Sequence, residues 1–494
     1  MRNLILICLI AGYVFTACDK ELKIIPKVYP YVVTESPNEI TQTSITFNAA
    51  ILDIGQLEVL EYGFIWDFVD PTIDTANKVI VGNIITAGSF SKVVDYKLFN
   101  GMSQYVRAYV KTKKIIVYGE SMVFNSYGGV SPVINEITPL SGYVGTHVYI
   151  KGKNFGVERE GIKVLFGEYE AVIEAVYDNC IVAIAPDVAF DIETQIVVSV
   201  YGKAEISRQQ FKVFTYWKRI ADFPNGARQM AVAFVINGKG YVGTGKLDNK
   251  YFSDLWEYSP ETDSWKKMAD FPGEARSHAI GFEMNGKGYI GFGTGTNGSY
   301  HDLWEYDPET NLWTFKNDNP MITTYADICF VMGNHAEFHT QIGPFVYNPI
   351  DNLYAPAGHF PGEHRYYTMG ITCNGKGYIL PGWSPGPTIV NDFWEKDPST
   401  NGWTKKSILP NLGRPGMAAF SLDSLIYAGL GNGMRDFYVY NPKIDTWKRI
   451  QNFGGSNRWK GVSFAIGNKA YIGLGEESFN NSVKDFWEFD PNKK

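Results

Sequence analysis

Five arginines recur through the second half of this 494-residue chain: Arg228, Arg276, Arg365, Arg414 and Arg458. A guanidinium is a planar fork of donors that matches a carboxylate or sulfate through two parallel hydrogen bonds. Gathered round one mouth, five of them would hold an anionic ligand. The same donors could instead tie adjacent loops together, and residue type alone leaves both roles open. Aromatic residues stand beside these arginines in sequence: Tyr366, Tyr367 and Trp459. Flat rings with polar neighbours suit sugars, which combine apolar ring faces with directed hydroxyls.

Enzyme chemistry requires more than this. General acid or base work needs a carboxyl or imidazole with a suitable pKa within reach of a substrate. Glu363 and Glu476 are candidates by position only, and no nucleophile–base spacing is recognisable. Of the seven histidines, only His335 and His339 have a close, metal-like spacing, and they read as loop residues. Cys180, Cys329 and Cys373 are widely spaced, fit no metal motif and read as buried thiols. The expectation is therefore no catalytic residue, no metal and no cofactor.

These residues lie within a repeat. Trp217, Trp265, Trp313, Trp403 and Trp447 follow one another at 48, 48, 90 and 44 residues, with Tyr354 in the middle of the long gap. Upstream of each unit's end runs an Asp-x-Trp element: Asp254/Trp256, Asp302/Trp304, Asp392/Trp394, Asp436/Tyr438 and Asp485/Trp487. The third unit is degenerate, with Gly343 and Phe345 at those places. Before it comes an Asn-Gly-Lys-Gly-Tyr turn and strand at 237–241, 285–289 and 374–378. The series resembles the Kelch repeat over residues 215–494, with about six units of roughly 47 residues. The resemblance implies a six-bladed β-propeller, each blade a four-stranded sheet. The family's Gly-Gly doublet is loosened here to Gly-x-Gly. The last unit lacks its terminal Trp and the first begins with a surplus one, so residues 216–220 would complete the sixth blade and leave no open edge. By the same resemblance the arginine turns, Trp383 and Glu476 lie on the face that commonly binds ligands. The third repeat has Tyr325 near the arginine position. The candidate ligand set is thus Arg228, Arg276, Arg365, Arg414, Arg458, Tyr366, Trp383, Trp459 and Glu476. Some Kelch propellers are enzymes, such as galactose oxidase and sialic acid mutarotase, but the oxidase's copper and Tyr–Cys pattern is not recreated.

Residues 24–126 alternate short β-rich runs with turns and resemble a fibronectin type III-like sandwich, carried by the stretches Tyr62–Trp66 and Tyr105–Val110. Residues 131–214 resemble an IPT/TIG immunoglobulin-like domain, through Ile137-Thr138-Pro139, Gly152-Lys153-Asn154-Phe155-Gly156 and Val164-Leu165-Phe166-Gly167. The expected fold is all-β: two immunoglobulin-like sandwiches, then the propeller.

Residues 1–17 combine Arg2, a short apolar run and a small-residue end before Cys18, which reads as a secretory leader. The Thr16-Ala17-Cys18 ending resembles a bacterial lipoprotein signal, implying lipidation of Cys18 and outer-membrane anchoring of the Bacteroidetes surface type. Net charge is −7 with no long run of one sign, which argues against nucleic acid. The combined expectation is a monomeric, non-catalytic surface lipoprotein. Its propeller would capture a glycan, acidic ones included, for uptake. Docking of a surface protein is the alternative, and a sugar-modifying activity of the mutarotase type comes third.

Overall fold

The computed structural model describes residues 27–83, 86–318, 328–340, 342–386, 388–411, 413–477 and 481–493. The leader, Cys18 and Tyr325 lie outside the described residues. Every regular element described is a β-strand, and no described helix is long and apolar enough to cross a membrane. The chain divides into two compact units. One runs to Val133 and adds Lys153–Ile162 and Val198–Glu205; the other comprises Ile134–Gly152, Lys163–Val197 and Ile206–Lys494.

In the first unit, strands Tyr31–Asn38, Ile45–Asp53 and Gly88–Val94 form one sheet. Asn77–Gly82, Val59–Asp67, Ser103–Thr112 and Ile116–Tyr118 form the other, with Met122–Asn125 also paired to Ser103–Thr112. Alternate residues of both sheets meet in one core, including Ile45, Phe47, Phe64, Trp66 and Val106. This is the period-2 burial of a sandwich. Trp66 is fully buried and donates its indole N–H to the Lys97 carbonyl at 3.2 Å.

The immunoglobulin-like segment is also a pair of sheets. Ser141–Tyr143, Lys203–Phe214, Ile192–Val200, Ile162–Phe166 and Tyr169–Glu170 make one, and Val172–Tyr177, Cys180–Ile184, His147–Lys153 and Val133–Thr138 the other. Within the second unit this segment is tied to the repeats. Tyr143 stacks on Tyr216 at 4.4 Å, Gln451 donates to the Val188 carbonyl, and Lys493 pairs with Asp191.

Residues 217–489 form six four-stranded antiparallel sheets among the described residues. Blade 1 consists of Val232–Ile236, Lys239–Gly243, Leu255–Ser259 and Ser264–Lys267 from inside to outside. The inner strands of blades 2 to 6 are Ile280–Met284, Ile328–Met332, Gly370–Cys373, Ala418–Leu422 and Val462–Ile466. Each inner strand touches the next, and the sixth touches the first, so the sheets close into a six-bladed propeller. The degenerate third unit still makes a full sheet, with Tyr354 against Tyr347 where blades 1, 2 and 5 set Trp against Tyr. Trp217–Ile220 is the outer strand of blade 6, and Trp217 pairs with Phe489, so the two ends of the repeat region share one sheet.

His335 and His339 correct one expectation. They belong to the strand His335–Thr340 rather than to a loop, because the degenerate unit keeps the strand pairing while changing its side chains.

Trp217 is 1% exposed, with Phe437, Phe453 and Phe489 rings within 5.4 Å. Trp217→Ala is expected to cost about 3–5 kcal/mol. Denaturant unfolding of the whole chain checks this.

Candidate functional site

Five of the six blades are entered through a turn that ends in an arginine, and the structure shows where those guanidiniums go. Arg228 Nη1 lies 2.6 Å from Asp254 Oδ1 and 2.9 Å from the Thr244 carbonyl. Its guanidinium covers the rings of Phe223 and Phe252. Asp254 also accepts the Trp256 indole N–H at 2.7 Å. Blade 2 repeats the pattern with Arg276, Asp302, the Phe292 carbonyl, Trp304 and Phe271. Arg365 pairs with Asp392 at 2.6 Å, Arg414 with Asp436, and Arg458 with Asp485 at 2.8 Å. All five arginines are at most 4% exposed. Burial alone would raise the carboxyls of Asp254, Asp302 and Asp485, but the facing guanidinium overrides it and holds each below the usual range.

The arginine backbone works across the blade boundary. The Arg276, Arg458 and Arg228 carbonyls each accept, at 2.8 Å, the N–H of Gly245, Gly431 and Gly475 in the preceding blade. Those glycines have φ of 92°, 84° and 91°, and a Cβ on Gly475 would stand 2.5 Å from the Trp459 carbonyl oxygen. This is why the Gly-x-Gly ends in glycine. The expectation that Arg228, Arg276, Arg365, Arg414 and Arg458 bind ligand is therefore corrected. Each guanidinium faces an aspartate inside the protein, and the side chains are sealed from solvent.

The residue two places after each arginine behaves differently. Met230, His278, Tyr367, Gly416 and Lys460 have φ of 55°, 53°, 51°, 69° and 57°. The left-handed turn aims each N–H sideways at the neighbouring blade. His278 donates to the Met230 carbonyl, Met230 to Lys460, Lys460 to Gly416 and Gly416 to Tyr367. These five residues ring one end of an axial channel of about 510 Å³, whose walls include Ala233, Gly281, Gly370, Ala419 and Ser463. Non-glycine residues held at positive φ are uncommon and cluster where structure over-determines them.

Around this mouth the aromatic candidates converge. The Tyr367 ring lies 5.9 Å from Trp383, 6.3 Å from Trp459 and 6.0 Å from the His278 ring. Lys460 Nζ sits 3.7 Å from the centre of the Trp459 ring and 5.6 Å from that of Tyr367. Its other neighbour is Glu476, whose Oε2 is 3.4 Å away and whose Oε1 accepts from Gln229 Nε2. Glu476 is buried, and its backbone pairs with Trp459 in both directions. Trp383 is 37% exposed, half-open to solvent. Tyr366 enters by its backbone, which pairs with Trp383, while its ring lies edge-on to His364 at 4.8 Å. The structure thus gathers Trp383, Trp459 and Glu476, as well as the neighbour of Tyr366. Glu363 is exposed, and its carbonyl accepts from Arg365.

Two lysines, Lys246 and Lys460, act on His278 at the mouth. Burial, then Lys246 and Lys460, push the His278 imidazole down to about 3, so it is neutral at physiological pH. Burial also lowers Lys460, against the pull of Glu476. Lys246 has no carboxylate within ion-pair distance among the described residues. Burial raises the free thiols of Cys180, Cys329 and Cys373; Cys329 lies in the channel wall. Among the described residues no group of three His, Cys, Asp or Glu is arranged to hold a metal.

Sequence reasoning passed over Lys246, His278 and Lys460. Their signal was positional: the second residue after each entry arginine, and the first after each Gly-x-Gly.

Residues 132–216 match the IPT/TIG domain family. A solved structure described as "Structure of YjhT" is similar over 54% of this chain and 95% of its own, at 16% identity and a TM-score of 0.48. None of the curated proteins compared matches this chain.

Two outcomes follow from this geometry. Arg276→Met leaves the half-buried Asp302 without its ion-pair partner, and is expected to destabilise the protein by about 3 kcal/mol in urea unfolding. The second concerns pH. The folded His278 pKa of about 3 lies below its ordinary 6.5, so the unfolded chain binds the proton first. Stability is complete above about pH 6.5 and falls as the pH drops toward 3. His278→Gln is expected to flatten that slope in denaturation measured across the same range.

Proposed function

We propose that the channel mouth binds a glycan bearing an anionic group, without turnover. The observation that carries this is the convergence of Tyr367, Trp383 and Trp459 on Lys460 at one end of the axial channel. Aromatic faces receive the apolar face of a sugar ring, and the half-exposed Trp383 offers such a face to solvent. Lys246 and Lys460 supply positive charge for a carboxylate or sulfate, with Glu476 and Gln229 as directed hydrogen-bonding partners. The charge comes from ammonium groups at the mouth, not from the entry arginines.

In this reading the repeats are of the Kelch type and the chain is a Bacteroidetes-type surface lipoprotein. Cys18 carries the acyl chains, and the protein stands as a monomer on the outer membrane. The leader motif at 1–18 supports that location. The propeller presents captured polysaccharide for uptake, and the fibronectin-like and IPT/TIG segments serve as supports.

Calorimetric titration against neutral and acidic polysaccharides tests the proposal. Binding to an acidic glycan is expected, weakened at least about tenfold by Trp383→Ala or Tyr367→Ala and by high salt. A folded protein that binds no member of the panel overturns it, and a glycan-insensitive protein partner from outer-membrane extract would replace it with the docking alternative.

A further inference from the structure

The blade boundaries of the propeller are not alike. At five of them the tyrosine of a second strand meets an aromatic residue of the next blade's third strand. The pairs are Tyr241–Tyr306, Tyr289–Tyr347, Tyr378–Tyr440, Tyr427–Phe489 and Tyr471–Tyr258, with ring centres 5.2–6.5 Å apart. At the boundary of blades 3 and 4 both places have changed together. Glu337 stands where the others have tyrosine, and Lys396 where they have tyrosine or phenylalanine. Lys396 Nζ lies 2.6 Å from Glu337 Oε2 and 3.2 Å from the Ala357 carbonyl. The other carboxylate oxygen is 2.9 Å from His339 Nε2, and His339 occupies a place that is glycine in blades 1, 2, 5 and 6. All three side chains are at most 5% exposed.

The surroundings offer little counter-charge. From the inner strand of blade 3 comes Cys329, from the entry turn of blade 4 come His364 and Arg365, and Arg365 is committed to Asp392. The remaining neighbours of His339 are the Phe330, Phe360 and Trp403 rings. Among the described residues Glu337 is thus the carboxylate that balances Lys396. A proton added to His339 leaves excess positive charge in a sealed apolar boundary, where it is poorly tolerated. At four of the other boundaries the tyrosine hydroxyl donates to a glutamate, Glu257, Glu305, Glu395 or Glu488, while aromatic rings fill the place that Glu337 and Lys396 take here.

We infer that the Glu337–His339–Lys396 cluster makes the boundary of blades 3 and 4 the acid-sensitive opening of the ring. Burial, opposed by Glu337, holds the His339 imidazole below its ordinary range. The unfolded or opened state therefore takes the proton first, and the boundary weakens as pH falls below about 6.5. His364 and Arg365 lead directly into Tyr367, so opening here also loosens the aromatic side of the mouth. The inference stands on the boundary's composition and is independent of what the mouth binds.

Native-state hydrogen exchange on the full chain, read by mass spectrometry from about pH 7 to about pH 5 and corrected for intrinsic exchange, tests it. Protection in 328–340, 363–369 and 393–397 is expected to fall at least about tenfold more than in the matching strands of blades 1 and 2. In Glu337→Gln/Lys396→Met the excess loss is expected to shrink to the level of the other boundaries. His339→Gln, which leaves the ion pair in place, gives the same comparison should the double variant fold poorly, and is expected to reduce the excess loss. Equal loss of protection at all boundaries in the wild-type protein overturns the inference, as does an unchanged excess in His339→Gln together with the double variant.

Discussion

The arginine–aspartate pair at the entrance of five of the six blades is the interaction on which the rest of the propeller depends. It joins the entry turn to the third strand of the same blade, and in blades 1, 2 and 6 the aspartate also holds the indole of the tryptophan two residues on. Charged groups are rarely buried unless paired, and each of these buried guanidiniums faces an aspartate. With the guanidinium fixed, its backbone carbonyl takes the glycine N–H of the preceding blade. The chain then turns left-handed and delivers the second following residue to the channel. One pair thus closes a blade, clasps its neighbour and positions the mouth.

That order explains why part of the architecture was legible in the sequence. The Trp spacing and the Asp-x-Trp elements fall at matching places in the sheets, so their period is the period of the blades. Trp265, Trp313 and Trp447 each donate to a carbonyl some forty residues upstream. The surplus Trp217 at the start and the missing one at the end foretold the shared sixth sheet. The degenerate third unit was readable as a blade because Tyr347 and Tyr354 keep the aromatic pair that buries its outer strands.

The site was legible only in part, and for a physical reason. An arginine once per repeat has the same signature whether it faces a ligand or braces a turn, because both roles need five donors in a fixed fork. What separates them is burial and a facing aspartate, and the Asp-x-Trp element already held that aspartate in the sequence. Trp383 and Trp459 stood out because neither fits the repeating Trp positions, and both do lie at the mouth. Lys246, His278 and Lys460 escaped notice because they vary from blade to blade. A position fixed by backbone geometry and free in side chain is where one propeller differs from another. The Glu337/Lys396 exchange was hidden for the opposite reason: its halves lie 59 residues apart, and only the closed ring makes them neighbours.

The account's central claim is that the mouth residues, not the entry arginines, meet the ligand. A crystal structure of the protein with an acidic oligosaccharide tests it most directly. The account predicts sugar density over Tyr367, Trp383 and Trp459, its anionic group toward Lys246 and Lys460, and all five arginine–aspartate pairs intact. Density contacting an entry guanidinium released from its aspartate, or located away from the channel mouth, would contradict it.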